Sequence, residues 1–221
     1  HPLAEFAWIL EHYNLADPGQ LADLPAQSPV RIGGLVTSLD KRFTKRKDAY
    51  ARCRLEHLDG AVDVTVFPQA YADYGVYLAE EAPVMMCGKL ERDESQVRVL
   101  AEEIYPLREV PARFTRRIGL HLPETGLSDQ TLSAVRDLLR AHRGDVPATL
   151  CLQFPNGEKV FVKAHTDYHA KPSRALIEEL ERILGEDSVY LEIDPRACLN
   201  MRKKARWGAG RAGNGGRRNP G

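Results

Sequence analysis

From Val30 to Leu107 the chain alternates apolar and polar positions in five bursts, each broken by a turn signal. VRIGGLVTSL comes first, with Gly33-Gly34 inside it, and then the loop DKRFTKRKD. YARCRLEHL places Ala51, Cys53 and Leu55 on one face and Tyr50, Arg52, Arg54 and Glu56 on the other. After Asp59-Gly60, AVDVTVF puts Val62, Val64 and Val66 inward, with Phe67 sharing the outward parity of Asp63 and Thr65. PQAYADYGVYLAE reads as a short helix, and PVMMCGKLER and QVRVLAEEI read as two more strands separated by Asp93-Glu94-Ser95. Three strands, a helix and two strands is the order of a five-stranded OB-fold, a small Greek-key barrel. Gly33, Gly34 and Gly88 suit strands that bend sharply to close it.

The flanks follow other periods. Leu3, Phe6, Ile9, Leu10 and Tyr13 recur at helical spacing, which predicts an amphipathic helix that docks and ends at Asp17-Pro18-Gly19. Gln20-Leu21-Ala22-Asp23-Leu24 faintly resembles short Gln-containing motifs that bind sliding clamps, but Asp23 stands where an apolar side chain is wanted, and we read a linker. Pro106 to Phe114 reads as a second linker. Beyond it come a strand (RRIGLHLP), a helix capped by Ser128, the strand ATLCLQF, a two-residue Asn156-Gly157 turn into KVFVKAH, a helix started by Ser173 and stopped at Gly185, and the strand VYLEID. That β-α-β-β-α-β order predicts a small ferredoxin-like domain. The expected organisation is a helical linker over 1–28, an OB-fold nucleic-acid-binding domain over 29–110, an α+β partner-binding domain over 115–194 and a disordered basic Gly/Arg-rich tail over 195–221.

Composition adds little until charge is placed along the chain. The 221 residues are 43% hydrophobic and 28% charged, an ordinary globular mixture. Lys and Arg balance Asp and Glu at 31 each, yet eight of the basic residues fall after Ile193 in a stretch with no acidic residue after Asp194. The body therefore carries a net negative charge, against which a basic loop stands out. Cys53, Cys87, Cys151 and Cys198 form no CxxC pair, which points to reduced thiols in a cytoplasmic protein and away from zinc or a disulfide framework. No apolar run approaches a membrane span. The chain begins with His and not Met, which reads as a fragment or processed form.

Chemistry concentrates in one place. Between Lys41 and Lys47, five of seven residues are basic, and Phe43 lies among them. In OB-folds the loop between the first two strands and the outer face of strands 2 and 3 bind oligonucleotides or oligosaccharides. Cations neutralise phosphates and aromatic rings stack on unpaired bases, so the candidate phosphate contacts are Lys41, Arg42, Lys45, Arg46, Lys47, Arg52 and Arg54, and the candidate stackers are Phe43, Tyr50 and Phe67. A loop aromatic can equally cover the barrel mouth, and the same face can serve as a protein-interaction module or an RNA-binding OB domain. Elsewhere, His165 and His169 lack a third ligand nearby and read as loop polars, and the acidic pairs Glu102-Glu103, Glu178-Glu179 and Glu186-Asp187 read as solvated surface. Trp207 in the tail could stack on bases or dock on a partner. No catalytic motif is present and no metal or cofactor is expected in this chain.

LEHLDGAVDVTVFPQAYADY, GKLERDESQVRVLAEEIYPL, the LRAHRGDVPATLCL stretch and KPSRALIEELERILGEDSVYLEID together resemble the C-terminal portion of the bacterial DNA polymerase III alpha subunit, from His1 to about Asp194. The resemblance implies an OB domain that holds single-stranded template DNA. It also implies a terminal domain that contacts the clamp-loader subunit and other replisome proteins. The family's polymerase carboxylates and their magnesium ions lie upstream of the matching region, so polymerisation by this chain alone is not expected.

Overall fold

The computed structural model describes residues 2–93, 96–123 and 127–200. The turn through Glu94 and Ser95 and the tail from residue 201 onward, with Trp207, lie outside the described residues. Five strands close a barrel in the order β1-β2-β3-β5-β4. They are β1 (Pro29–Phe43), β2 (Ala49–His57), β3 (Gly60–Val66), β4 (Pro83–Arg92) and β5 (Val97–Pro106). All neighbouring pairs are antiparallel except β3–β5, which is parallel and closes the ring. A first helix, α1 (Ala7–Tyr13), precedes the barrel, and α2 (Pro68–Tyr74) connects β3 to β4. This is the OB-fold arrangement, and the predicted parity holds: Ala51, Cys53, Leu55, Val62, Val64 and Val66 fill the interior with Val30, Ile32 and Val36.

The outer face of β1 and β4 is buried as well. Arg31, Gly33, Leu35, Met85 and Cys87 alternate with the interior residues and lie under α1 and α3 (Val110–Phe114). Leu3, Phe6, Leu10, Tyr13, Leu107, Val110 and Phe114 complete this second core. The helix expected at residues 3–13 is present and docked, preceded by one 3-10 turn. Gly33 is needed for that approach: a Cβ there would stand 2.3 Å from Leu10 Cδ2. Gly88 has the role expected of it, at a register shift between Cys87 and Gly88, where a Cβ would meet the Leu100 carbonyl oxygen at 1.9 Å. Pro106–Phe114 is not the loose linker the prolines suggest. It forms a 3-10 turn and α3, because Leu107, Val110 and Phe114 have a core to enter. The Gln20–Leu24 stretch is pinned too: Arg92 Nη2 donates to the carbonyls of Leu21, Ala22 and Leu24.

One buried cation organises this second core. Arg31 is 1% exposed and its guanidinium lies 4.3 Å from the Phe114 ring centroid. Its Nε donates to Tyr13 O at 2.5 Å, and its Nη1 donates to Asp194 O at 3.0 Å and Arg196 O at 2.9 Å. Burial pulls the Arg31 pKa down, the mark of a desolvated charge, with Cys87 and Asp194 acting in the opposite direction. Asp194 is itself buried beside Arg196 and Arg116. Hydrogen bonds from the Arg196 side chain and backbone and from Arg116 hold its carboxyl well below the usual range.

The C-terminal unit has a four-stranded sheet in the order β10-β6-β8-β9, built from β6 (Thr115–Pro123), β8 (Ala148–Gln153), β9 (Lys159–Lys163) and β10 (Val189–Ile193), with the short β7 (Arg143–Val146) outside it. Helices α4 (Asp129–Ala141) and α5 (Arg174–Leu184) pack Val135, Leu139, Leu176 and Leu180 against Ile118 and Leu120. Ser128 and Ser173 cap them as expected, each accepting from a backbone N–H three residues on. The strands of the sheet and the two helices keep the β-α-β-β-α-β succession, but the sheet order corrects the ferredoxin-like expectation. β6 pairs directly and in parallel with β8, so no strand splits the first βαβ unit. Element order alone does not choose between these pairings. The Asn156-Gly157 turn is also one residue longer than expected: Phe154 N bonds to Glu158 O across Pro155-Asn156-Gly157, with Gly157 at φ 87°.

Glu103 departs from the solvated reading of the acidic pairs. It is 2% exposed and accepts from Tyr105 Oη at 2.8 Å and from the backbone N–H groups of Leu199 and Asn200 at 2.9 and 2.7 Å. The segment from Pro195 to Asn200, assigned from sequence to a disordered tail, is therefore tied to the barrel. Cys53, Cys87 and Cys151 are buried, Cys198 is partly so, and all four are free thiols. Burial pushes the thiols of Cys53 and Cys198 up to about 12, so neither is a thiolate at neutral pH.

Replacing Arg31 with Met removes the donors to three carbonyls, two of them in fully buried hydrogen bonds, and urea unfolding should register a loss of about 3–5 kcal/mol. Asp194 titrates below its unfolded value, so its stabilisation is present above about pH 4 and is lost as the pH falls further. Asp194→Asn should accordingly flatten the acid limb of a stability–pH profile.

Candidate nucleic-acid interface

The hairpin that carries the candidate residues is longer than its sequence pattern suggests. β1 continues through Lys41, Arg42 and Phe43, which pair with Ala51, Tyr50 and Ala49 of β2. The loop expected over Asp40–Asp48 thus shrinks to Thr44–Asp48. Thr44 builds that turn: its N–H donates to Asp48 O, its carbonyl accepts from Lys47 N, and its Oγ1 accepts from the N–H groups of Arg46 and Asp48. Lys47 takes φ 67° to close it. A register shift between Thr37 and Asp40, with Ser38 at φ 53°, marks a bulge at the base of the hairpin, a feature that increases local strand twist.

A groove of about 490 Å³ runs across the outer face of β2 and β3. Its walls include Phe43, Lys45, Tyr50, Arg52 and Phe67 from the expected set. Thr65 forms the floor, and Arg98 of β5 and Glu91 of β4 close the far side. Phe43 is 72% exposed and Phe67 is 51% exposed, so neither ring is tucked onto the barrel. That excludes the reading of Phe43 as a cover for the barrel mouth. Phe67 ends just beyond β3 as the residue preceding α2, with the outward direction its parity predicts.

The other candidates separate from this group. Arg42 stands opposite Tyr50 and is paired with Asp40 at 2.6 Å. Arg54 is paired with Asp63 at 3.2 Å, farther along β2. Lys41 lies opposite the inward-facing Ala51 and does not line the groove. Arg46 lines a neighbouring groove with Phe67, Tyr71 and Val76, and Lys47 lines neither. Arg52 and Lys45 make no ion pair or side-chain hydrogen bond among the described residues. Sequence reasoning missed Arg98, which reaches the face because β5 pairs in parallel with β3 and sets it beside Asp63. Its outward parity is visible between Val97 and Val99, but its strand neighbour is not. It is held by Glu91 at 3.0 Å and Asp93 at 2.6 Å, so its charge is largely balanced within the fold.

His165 and His169 flank a 3-10 turn, and no group of three His, Cys, Asp or Glu that could hold a metal ion occurs among the described residues. Nor is any described helix long and apolar enough to cross a membrane.

The barrel and its groove define an OB-fold with a mixed cationic and aromatic face. Curated relatives give that class a closer context. The DNA polymerase III subunit alpha of Mycobacterium tuberculosis is 27% identical over 188 residues, covering 84% of this chain and 16% of that protein. The Vibrio cholerae subunit is 23% identical over 197 residues, and the Escherichia coli K12 subunit 24% over 200, each covering 88% of this chain and 17% of the relative. The chain therefore resembles the DNA polymerase III alpha subunit over most of its own length, while spanning about a sixth of its relatives' length. No family model matches it. Among solved structures, the single-stranded DNA-binding protein from Thermus aquaticus matches at a TM-score of 0.32 and 23% identity, covering 35% of this chain and 39% of that one, an overlap too slight to bear on function.

Because Phe43 and Phe67 are exposed, replacing either with Ala should change unfolding free energy by no more than about 0.5 kcal/mol. Leu55→Ala, from the barrel interior, should cost about 2–5 kcal/mol in the same denaturant titration.

Proposed function

We propose that this chain is a non-catalytic, single-strand-holding and partner-contacting portion of a replicative DNA polymerase III alpha subunit, working in the cytoplasm. The observation that carries the reading is the grouping of Phe43, Tyr50 and Phe67 with Lys45 and Arg52 around one groove of an OB barrel. Exposed rings suit unpaired bases, and uncommitted cations beside them suit the intervening phosphates. The similarity to polymerase subunits supports DNA as the polymer and replication as the setting. In this reading the C-terminal sheet contacts the clamp-loader subunit or another replisome protein, and Lys41, Arg42, Arg46, Lys47 and Arg54 contribute through the field around the hairpin.

A second reading has its own support. Arg42, Arg54 and Arg98 already have carboxylate partners, so the face is less positive than its sequence suggests and could meet a protein instead. An RNA-facing role is decided by competition between matched RNA and DNA strands.

A salt titration of oligonucleotide binding separates nucleic acid from protein. Lys45→Ala with Arg52→Ala should reduce the magnitude of the slope of log K against log[salt] by about 0.7 per lost phosphate contact. Phe43→Ala should weaken binding by about 1–3 kcal/mol with the slope unaltered. Binding as tight as wild type in the double variant at low salt would move the site elsewhere and favour the protein-interaction reading.

A further inference from the structure

Strand β9 is the open edge of the C-terminal sheet, and each of its five residues is exposed. Val160, Phe161 and Val162 are 46%, 61% and 43% exposed, an apolar run of a kind that edge strands normally avoid. The register fixes which backbone groups are free. Ala164 N bonds to Ala148 O and Phe154 N bonds to Glu158 O at the two ends of the β8–β9 pair. Alternation between those ends turns the N–H and C=O of Val160 and Val162 toward β8. The same groups of Lys159, Phe161 and Lys163 point outward along the edge. Their side chains share the sheet face of Cys151, whereas Val160 and Val162 share the face of Leu150 and Leu152.

We infer that β9 is a docking edge for an extended acidic peptide, which adds to the sheet as a fifth strand. Three consecutive outward donor–acceptor pairs supply the main-chain ladder, and the residues opposite Lys159, Phe161 and Lys163 set specificity. Charge selects the occupant: an acidic–apolar–acidic pattern at alternate positions matches the lysine–phenylalanine–lysine face. A second copy of this chain does not fit. Antiparallel pairing about Phe161 would put Lys159 opposite the other copy's Lys163, and parallel pairing would stack like on like. The inference rests on the β8–β9 register and is independent of what the barrel groove binds.

The probe is the peptide Thr-Glu-Val-Leu-Val-Glu-Thr, with Thr-Lys-Val-Leu-Val-Lys-Thr as its control, titrated into the whole chain. The acidic peptide should bind about tenfold more tightly than the basic one. Amide exchange supplies an alternate-residue signature: Val160 and Val162 are protected beforehand, and the peptide should newly protect Phe161 and its flanking lysines. Phe161→Pro removes an outward N–H while leaving the β8 ladder intact, and should abolish binding. Lys159→Glu with Lys163→Glu should reverse the preference between the two peptides. The proposal is overturned if neither peptide binds, if charge reversal leaves the preference unchanged, or if newly protected amides lie elsewhere. It is equally overturned if sedimentation reveals a dimer that Phe161→Pro dissolves, since β9 would then pair with itself.

Discussion

A buried arginine holds the two halves of this protein to one another. Arg31 lies on the outer side of a barrel strand, and three hydrogen bonds from its guanidinium reach the end of α1 at Tyr13 and the segment after β10 at Asp194 and Arg196. Removing a guanidinium from water is expensive, and only well-placed acceptors offset that cost. The carbonyls and the Phe114 ring provide such a setting, so each element they belong to is constrained in position. Asp194 adds a buried counter-charge, itself held by Arg196 and Arg116. Glu103 repeats the device in the opposite sense, a buried acceptor that draws in the N–H groups of Leu199 and Asn200. These anchors leave the far side of the barrel, β2 and β3 with the hairpin tip, open to solvent.

The barrel was legible because its interior is built by simple alternation. Cys53, Leu55, Val62 and Val64 announce their side by period, and the Gly60 and Pro68 boundaries mark where strands end. What period cannot reveal is why both faces of β1 are buried. Arg31 and Gly33 look like a polar position and a bend, and only the docking of Leu10 and Tyr13 explains them. Glu103 was misread for the same reason: its partners are backbone groups nearly a hundred residues away, which carry no sequence signal. The C-terminal sheet shows a further limit, since the β6–β8 pairing depends on which neighbour α4 returns to, and leucine spacing does not encode that choice.

At the candidate interface, residue types were readable and their grouping was not. Tyr50, Arg52 and Phe67 converge as parity suggests, and Phe43, read from sequence as a loop residue, joins them from the end of β1. Lys41 and Arg46 belong to the same basic run but diverge, since Lys41 stands opposite the inward-facing Ala51 and Arg46 lies in the turn beyond the end of β1. Arg42 and Arg54 are also less available than a count of charges implies, since Asp40 and Asp63 stand beside them. Three aromatic rings and two unpaired cations are a smaller site than ten candidates suggested, and a better defined one.

The most direct measurement of that site is photo-crosslinking of the whole chain to a single-stranded oligonucleotide bearing 5-bromodeoxyuridine, with the attached residues located by mass spectrometry. Stacked bases place the photoreactive ring against aromatic side chains, so adducts are expected at Phe43, Tyr50 and Phe67. Adducts confined to the C-terminal sheet, or none at an oligonucleotide concentration that saturates binding, would contradict the account.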